Sequence, residues 1–380
     1  MNLRILMVTP YYPPVISGVC LYVYYLTRGL LDQGLQVRVH TTNIAPPAGS
    51  LTLDLQLAGM DIHRHRSLYE LKRSCNPISP SYVVSGIKSS KDFDIVHIHD
   101  FPKVCNEALI LIMNRLKGNK PLILTPYGAG PPSPTRSLLS RLYWSSGIPR
   151  KALRSVDHII ALIPAQAELF AKVCHPDKIS IIPAFVLDNY FTNKPLFNED
   201  GKLKILFIGR IVKEKGIKEL LYAVQRASSL SRQIELVCIG PDGGYVREAL
   251  GLISKLGLDS MVKITGALAE EEKLKYLKWC DVLVLPSYYE AFGIPIVEAM
   301  AHGKPVIATK TVGAKSLVDH GKTGFLVDVG DSDAIAAYLI EFFREPHLKY
   351  EMGEKGLANA REFTLDKMVK RHIEIYKRLI

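Results

Sequence analysis

The chain has 380 residues, 48% of them hydrophobic and 22% charged, a balance typical of a globular protein whose length suits two domains. No apolar run reaches the roughly 18 residues that a membrane-spanning helix needs. The net charge of +11 is uneven, with 20 Lys+Arg against 12 Asp+Glu in residues 1–192 and 28 against 25 in the rest. Such an excess suits nucleic acid, phosphorylated substrates or an anionic membrane surface, but no nucleic-acid-binding motif is present and no nucleic-acid partner is expected. Six cysteines lie far apart without a C-x-x-C pair. That spacing points to neither a disulfide scaffold nor a zinc site, and a reducing cytosol is the expected setting.

The chain opens on a short apolar stretch, residues 1–8 with a strand predicted at 4–8, that runs directly into Thr9-Pro10-Tyr11. It reads as a buried first strand rather than a signal peptide. Further strands are predicted at 36–40, 94–97, 121–125, 158–162 and 179–182. Helical patterns at 18–31, 103–117 and 164–172 lie among them. A polar linker follows near 191–202, and the alternation restarts. Strands are predicted at 204–208, 234–239, 262–264, 282–285, 305–308 and 324–327, with helices at 216–227, 295–301 and 331–343. Alternating β and α elements predict parallel sheets with helices on both faces. The fold class is therefore α/β, with two doubly wound Rossmann-like domains, 1–192 and 193–364, facing a central cleft. Residues 365–380 form a basic terminal helix. Ligands in such sheets bind beyond the C-terminal ends of the strands.

Four segments carry chemistry. The first runs from Phe207 to Gly216, where Gly209 and Arg210 end a strand and Lys215 precedes a helix. A guanidinium fork, an ammonium and helix N-terminal amides suit a diphosphate. A solvated basic loop is the plain alternative. The second, Leu285 to Met300, places Glu290 in a loop and Glu298 on a helix that begins near Pro295. A bare carboxylate on an apolar stretch is costly, and a ribose diol would offer Glu298 two donors. Glu290 is placed to accept from sugar hydroxyls, and the amides of Phe292, Gly293 and Ile294 to meet phosphate oxygens. A capping glutamate beside a surface glutamate is the alternative. The third is the loop after the first strand, in which Gly18 permits close approach of a ligand to a helix N-terminus. The fourth comprises His97, His99 and Asp100, followed by Tyr127. His97 reads as a core histidine, whereas His99, Asp100 and Tyr127 are candidates for an acceptor. Asp92-Phe93-Asp94 is formally D-x-D, but it enters a strand and reads as structural.

In order and spacing these segments resemble the family-4 retaining glycosyltransferases, the glycosyl transferases of group 1, which have the GT-B fold. Gly209-Arg210 with Glu214-Lys215-Gly216, then Gly240-Pro241-Asp242-Gly243, then Glu290-Ala291-Phe292-Gly293 with Glu298 follow that family's pattern. The resemblance implies that Arg210 and Lys215 neutralise the diphosphate of a UDP-, GDP- or ADP-sugar donor. It further implies that Glu298 binds ribose, Glu290 the transferred hexose, and Gly18 the diphosphate from the N-terminal domain. It implies retention of configuration and requires no metal and no other cofactor, and its C-terminal helix crosses back to the first domain. Three positions depart: Ser17-Gly18 stands for a glycine pair, Cys20 for an acidic residue soon after it, and Tyr127 for a histidine that in relatives lies near the reacting sugar. Tyr127 does not titrate near neutral pH.

The expected activity is transfer of a hexosyl group to a hydroxyl acceptor that is a glycan, a lipid-linked sugar or a small molecule. Alternatives are a GT-B phosphorylase or epimerase, or a non-catalytic nucleotide-sugar-binding partner. The basic segment 136–154 mixes cations with Leu, Tyr and Trp, as interfacial helices do. It suggests peripheral contact with an anionic membrane from the cytoplasmic side, with an ordinary packed helix as the alternative.

Overall fold

Residues 203–208, Leu-Lys-Ile-Leu-Phe-Ile, are buried at all six positions. A strand so covered must lie between two helical layers, and this one does. The computed structural model describes all residues except 1–2, 15–17, 45–56, 58, 72–75, 117–119, 129–137, 198–199 and 230–232. The chain divides into two units, Met1–Ala184 with Leu365–Ile380, and Phe185–Thr364.

The first unit contains β1 (Arg4–Val8), α1 (Gly18–Asp32), β2 (Gln36–Thr42), β3 (Asp61–His65), a two-stranded ribbon of β4 (Tyr69–Leu71) and β5 (Asn76–Ile78), and α2 (Pro80–Ser89). It continues with β6 (Ile95–Phe101), α3 (Val104–Leu116), β7 (Leu122–Tyr127), α4 (Leu138–Ser145), α5 (Ile148–Ser155), β8 (His158–Ala161), α6 (Pro164–Ala171) and β9 (Ile179–Ile181). Its main sheet has the order β3-β2-β1-β6-β7-β8-β9, and every pairing in it is parallel. The sequence order reverses direction at β1 and β6, so these two strands flank the switch point.

The second unit repeats the plan. It contains β10 (Leu203–Ile208), α7 (Ile217–Ser228), β11 (Ile234–Ile239), α8 (Val246–Lys255), β12 (Val262–Gly266), α9 (Glu270–Trp279) and β13 (Val282–Leu285). Then come α10 (Ile294–Ala301), β14 (Val306–Thr309), α11 (Val312–Leu317), β15 (Gly324–Val327), α12 (Ser332–Arg344) and α13 (His347–Ala360). The order β12-β11-β10-β13-β14-β15 is again wholly parallel and places its switch point between β10 and β13.

The unit boundary falls at Ala184, eight residues before the expected 192. The intervening residues are bonded into the second unit: the Val186 amide donates to the Phe363 carbonyl (2.8 Å), and that of Thr192 to the Ala301 carbonyl (3.1 Å). The terminal helix α14 (Leu365–Leu379) packs on α1 in the first unit. Contact there is close because Gly29 has no side chain; a Cβ on it would lie 2.5 Å from Val369 Cγ2.

Two predicted strands run further than their apolar cores suggested. β6 continues to Phe101 and β7 to Tyr127 because the two pair through Phe101↔Tyr127. His99 therefore stands inside the sheet rather than beyond it. Asp94, the second carboxylate of the D-x-D, bonds the Arg4 amide (2.9 Å) and guanidinium (2.8 Å). No helix among the described residues is long and apolar enough to cross a membrane.

Candidate active site

Glycine geometry builds the loop after β10. The Gly209 carbonyl lies so close to Gly240 that an added Cβ there would stand 1.9 Å from it, and Gly240 has φ +151. Gly216, at φ +70, packs on the Pro286 carbonyl, 2.0 Å from where a Cβ would lie. Both contacts exclude a side chain, and together they lock the 209–216 loop against the ends of β11 and β13. Within that loop Arg210 is exposed, and among the described residues its guanidinium makes no hydrogen bond or ion pair. Lys215 passes beside Gly209, and its ammonium lies 2.5 Å from Glu290 Oε2. Ser287 Oγ approaches the same oxygen at 3.5 Å.

The loop after β13 is held from behind. Gly313 donates its amide to the Glu290 carbonyl (3.0 Å), and a Cβ on it would meet the Phe292 oxygen at 2.3 Å. Phe292 is buried, and Gly293 at φ +101 caps α10, so that Ile294 opens that helix. Glu298 follows one turn on and is 7% exposed. Its Oε1 lies 2.9 Å from the Lys273 ammonium. Lys273, from α9, also reaches Glu270 (3.2 Å) and sits 5.0 Å above the Tyr190 ring, whose hydroxyl donates to Glu270. Burial alone would lower the Lys273 pKa, but Glu298 and Glu270 together hold it above the usual lysine value. Burial raises that of Glu270 against the pull of Lys273.

Gly209, Arg210, Lys215, Glu290, Phe292, Gly293, Ile294 and Glu298 thus share one end of the second sheet, at the strands flanking its switch point. A cation pair, a carboxylate fixed by one of the cations, and a helix start stand together there. That arrangement suits a phosphorylated ligand bearing hydroxyls.

The remaining candidates belong to the first unit. Gly18 is exposed and opens α1; Ser17 lies outside the described residues. His99 is not available to an acceptor: it is wholly buried. Its Nε2 faces Met7 Sδ at 3.4 Å and its Nδ1 the Tyr127 hydroxyl at 2.8 Å. Sulfur only accepts, so Nε2 carries the proton and Tyr127 donates to Nδ1. His97 is likewise buried, between Tyr376 (2.7 Å) and Thr125 (2.8 Å). Asp100 is the most accessible of this group and pairs with Lys103 at 3.3 Å. Asp100 (φ +76) and Tyr127 (φ +51) are the non-glycine residues at positive φ among those described. Each such residue costs about 1–3 kcal/mol, and such strain clusters at functional sites.

Two family models match the chain: Glycosyltransferase Family 4 over residues 16–187, and Glycosyl transferases group 1 over residues 191–359. The chain belongs to this glycosyltransferase family. A glycosyltransferase of Methanocaldococcus jannaschii is 25% identical over 378 residues, covering 99% of both chains. A D-inositol 3-phosphate glycosyltransferase of Streptomyces scabiei is 31% identical over 242 residues; the match covers 59% of this chain and 54% of that one. The fold is GT-B. Anabaena HepE, solved in complex with UDP and glucose, superposes with a TM-score of 0.77 at 20% identity over 99% of this chain and 100% of its own.

Sequence reasoning about this glycosyltransferase missed Lys273. It lies in Glu-Glu-Glu-Lys, which reads as the solvated start of a helix, and nothing in its spacing links it to Glu298. It also missed Glu107 on α3, a carboxyl 1% exposed whose two oxygens have no hydrogen-bond partner among the described residues and whose pKa burial pushes up to about 8.

Proposed function

We propose that the enzyme moves a hexosyl group, with retention of configuration, from a nucleoside-diphosphate sugar to a hydroxyl acceptor. The observation that carries this reading is the convergence of Arg210, Lys215 and Glu290 on the loops after β10 and β13. Cleavage of the bond from anomeric carbon to phosphate places charge on the departing diphosphate. Arg210 and Lys215 stabilise that charge as it develops, which lowers the barrier rather than only tightening binding. Glu290 orients Lys215 and accepts from sugar hydroxyls, while Glu298 accepts from the ribose. The departing phosphate takes up the acceptor proton on the same face. In this scheme side-chain cations neutralise the diphosphate, and no step is assigned to a metal. The UDP and glucose bound by the Anabaena structure are consistent with such a donor.

Thermal-shift screening with UDP, GDP and ADP identifies the base, because a ligand of the native state raises its apparent stability. Arg210→Ala is expected to lower turnover by about 10²–10³-fold. A near-normal rate would remove Arg210 from the mechanism. Release of free sugar phosphate, or isomerisation of the donor without an acceptor, would instead favour a phosphorylase or an epimerase.

A lipid-linked acceptor at the cytoplasmic membrane face is the reading favoured by one surface feature. Between Glu107 and Asp157 the chain has no Asp or Glu but eight Lys and Arg. Of the basic segment, Arg136 lies outside the described residues. Arg150, Lys151 and Arg154 are exposed beside the exposed Leu142 and Ile148. Sedimentation with anionic but not neutral liposomes tests this reading, and recovery in the supernatant with both would end it.

A further inference from the structure

We propose that Lys273 is the positioning residue that fixes Glu298 as a ribose-diol acceptor, and that through it the enzyme prefers ribonucleotide over 2′-deoxyribonucleotide donors. The proposal rests on the reading of Glu298 as the ribose carboxylate. Glu298 sits on a helix whose neighbours Ile296, Val297, Ala299, Met300 and Ala301 are all buried. A carboxylate there loses most of its hydration, a cost that a cation beside it offsets. Lys273 supplies that cation at 2.9 Å and takes only Oε1; among the described residues Oε2 has no hydrogen bond.

An ionised carboxylate with one oxygen anchored and the other open is an acceptor-only group of fixed direction. Vicinal hydroxyls, which donate, are its complement. Lys273 is itself restrained, by Glu270 at 3.2 Å and by the Tyr190 ring at 5.0 Å, so its ammonium is held on the Glu298 side by buried contacts. Two carboxylates share this one ammonium. Removing it would leave Glu298 and Glu270 near each other without a countercharge. Their mutual repulsion would turn Glu298 aside, and the diol would lose its fixed acceptor.

The test measures dissociation constants of UDP, GDP and ADP and of their 2′-deoxy counterparts by calorimetry. In the unaltered enzyme the ribonucleotide is expected to bind about tenfold more tightly than the deoxyribonucleotide, the scale of one hydrogen bond to a charged group. Lys273→Met is expected to collapse that ratio toward one, and Lys273→Arg to preserve most of it. Equal weakening of both nucleotides by Lys273→Met, with the ratio intact, would show a merely structural role and overturn the proposal. Glu298→Gln separates the two layers. If it leaves the ratio unchanged, the ribose reading itself fails; if it collapses the ratio while Lys273→Met does not, only the role of Lys273 fails. Should Lys273→Met not fold, Glu270→Gln leaves the ammonium to Glu298 alone and must retain the discrimination, whereas its loss there would overturn the proposal.

Discussion

The Lys215 ammonium and Glu290 Oε2 lie 2.5 Å apart and join the loop after β10 to the loop after β13. The cation that the proposed mechanism directs at the diphosphate is therefore shared with a carboxylate. Removing that carboxylate's charge should separate binding from turnover. Glu290→Gln is expected to bind the nucleoside diphosphate about two- to fivefold more tightly, the range of a partly exposed ion pair. Its turnover should fall, because Lys215 is no longer oriented and the sugar loses an acceptor. Calorimetry beside a steady-state assay checks both halves, and weaker nucleotide binding in Glu290→Gln would contradict the shared-cation account.

The glycines that shape this loop give a stability prediction. Gly240 has φ +151 and leaves no room for a Cβ beside the Gly209 carbonyl. Gly240→Ala should cost roughly 1–3 kcal/mol from backbone conformation alone, before the clash is counted. The expected readout is a melting temperature lower by several degrees together with weaker nucleotide binding, since Arg210 follows Gly209 directly. Gly251→Ala on α8 is a fitting control, because nothing lies within 4 Å of an added Cβ there.

Much of the second unit was legible because its strands are buried on both faces, and such strands appear as unbroken apolar runs such as 203–208. The proposed donor residues come together at one sheet end because their order along the chain mirrors the loops there. β3 was not among the predicted strands. Its sequence, Asp-Ile-His-Arg-His, is polar and mostly exposed, and it is a strand only because β2 offers it a parallel edge. Lys273 was hidden for a related reason: α9 buries Leu277 and otherwise looks solvated, so the burial of its lysine depends on Glu298 25 residues away. The fate of His99 turned on strand length. Two further residues of pairing with β7 carried it from a strand end into the sheet.

The first unit should be acid-sensitive for a definable reason. His372 on α14 is wholly buried, with Nδ1 bonded to the Met368 carbonyl (2.7 Å) and Nε2 facing the Tyr22 hydroxyl (3.5 Å). Burial lowers its pKa to about 4, against a smaller opposing effect of the Met368 bond. In the unfolded chain it titrates near 6.5. Between those values the unfolded chain binds a proton that the native state refuses. Stability is therefore full above about pH 6.5 and is lost as the pH falls toward about 4, with a ceiling of roughly 3 kcal/mol for this one group. Melting temperatures taken in half-unit steps should fall across that window. In His372→Gln the decline should be shallower by about one proton's worth, and an identical slope would exclude His372 as a source.

Glu107 shifts in the opposite direction and predicts a gain. Its carboxyl is buried on α3 with both oxygens unpartnered among the described residues, and burial raises its pKa to about 8. The unfolded value is near 4.3, so the native state holds a proton that the unfolded chain releases as the pH rises. The group contributes nothing unfavourable below about pH 4.3. From there its cost to stability grows until the native carboxyl itself ionises near pH 8, and it levels off beyond that. Glu107→Gln keeps the shape, cannot ionise, and should raise the melting temperature by an amount that increases between pH 5 and pH 8. Denaturant unfolding at those two pH values distinguishes the cases. A gain of about 1 kcal/mol at the lower pH that grows several-fold by the higher fits a buried carboxyl of this pKa. Loss of stability at both would show that the carboxyl stabilises the native state and contradict this account.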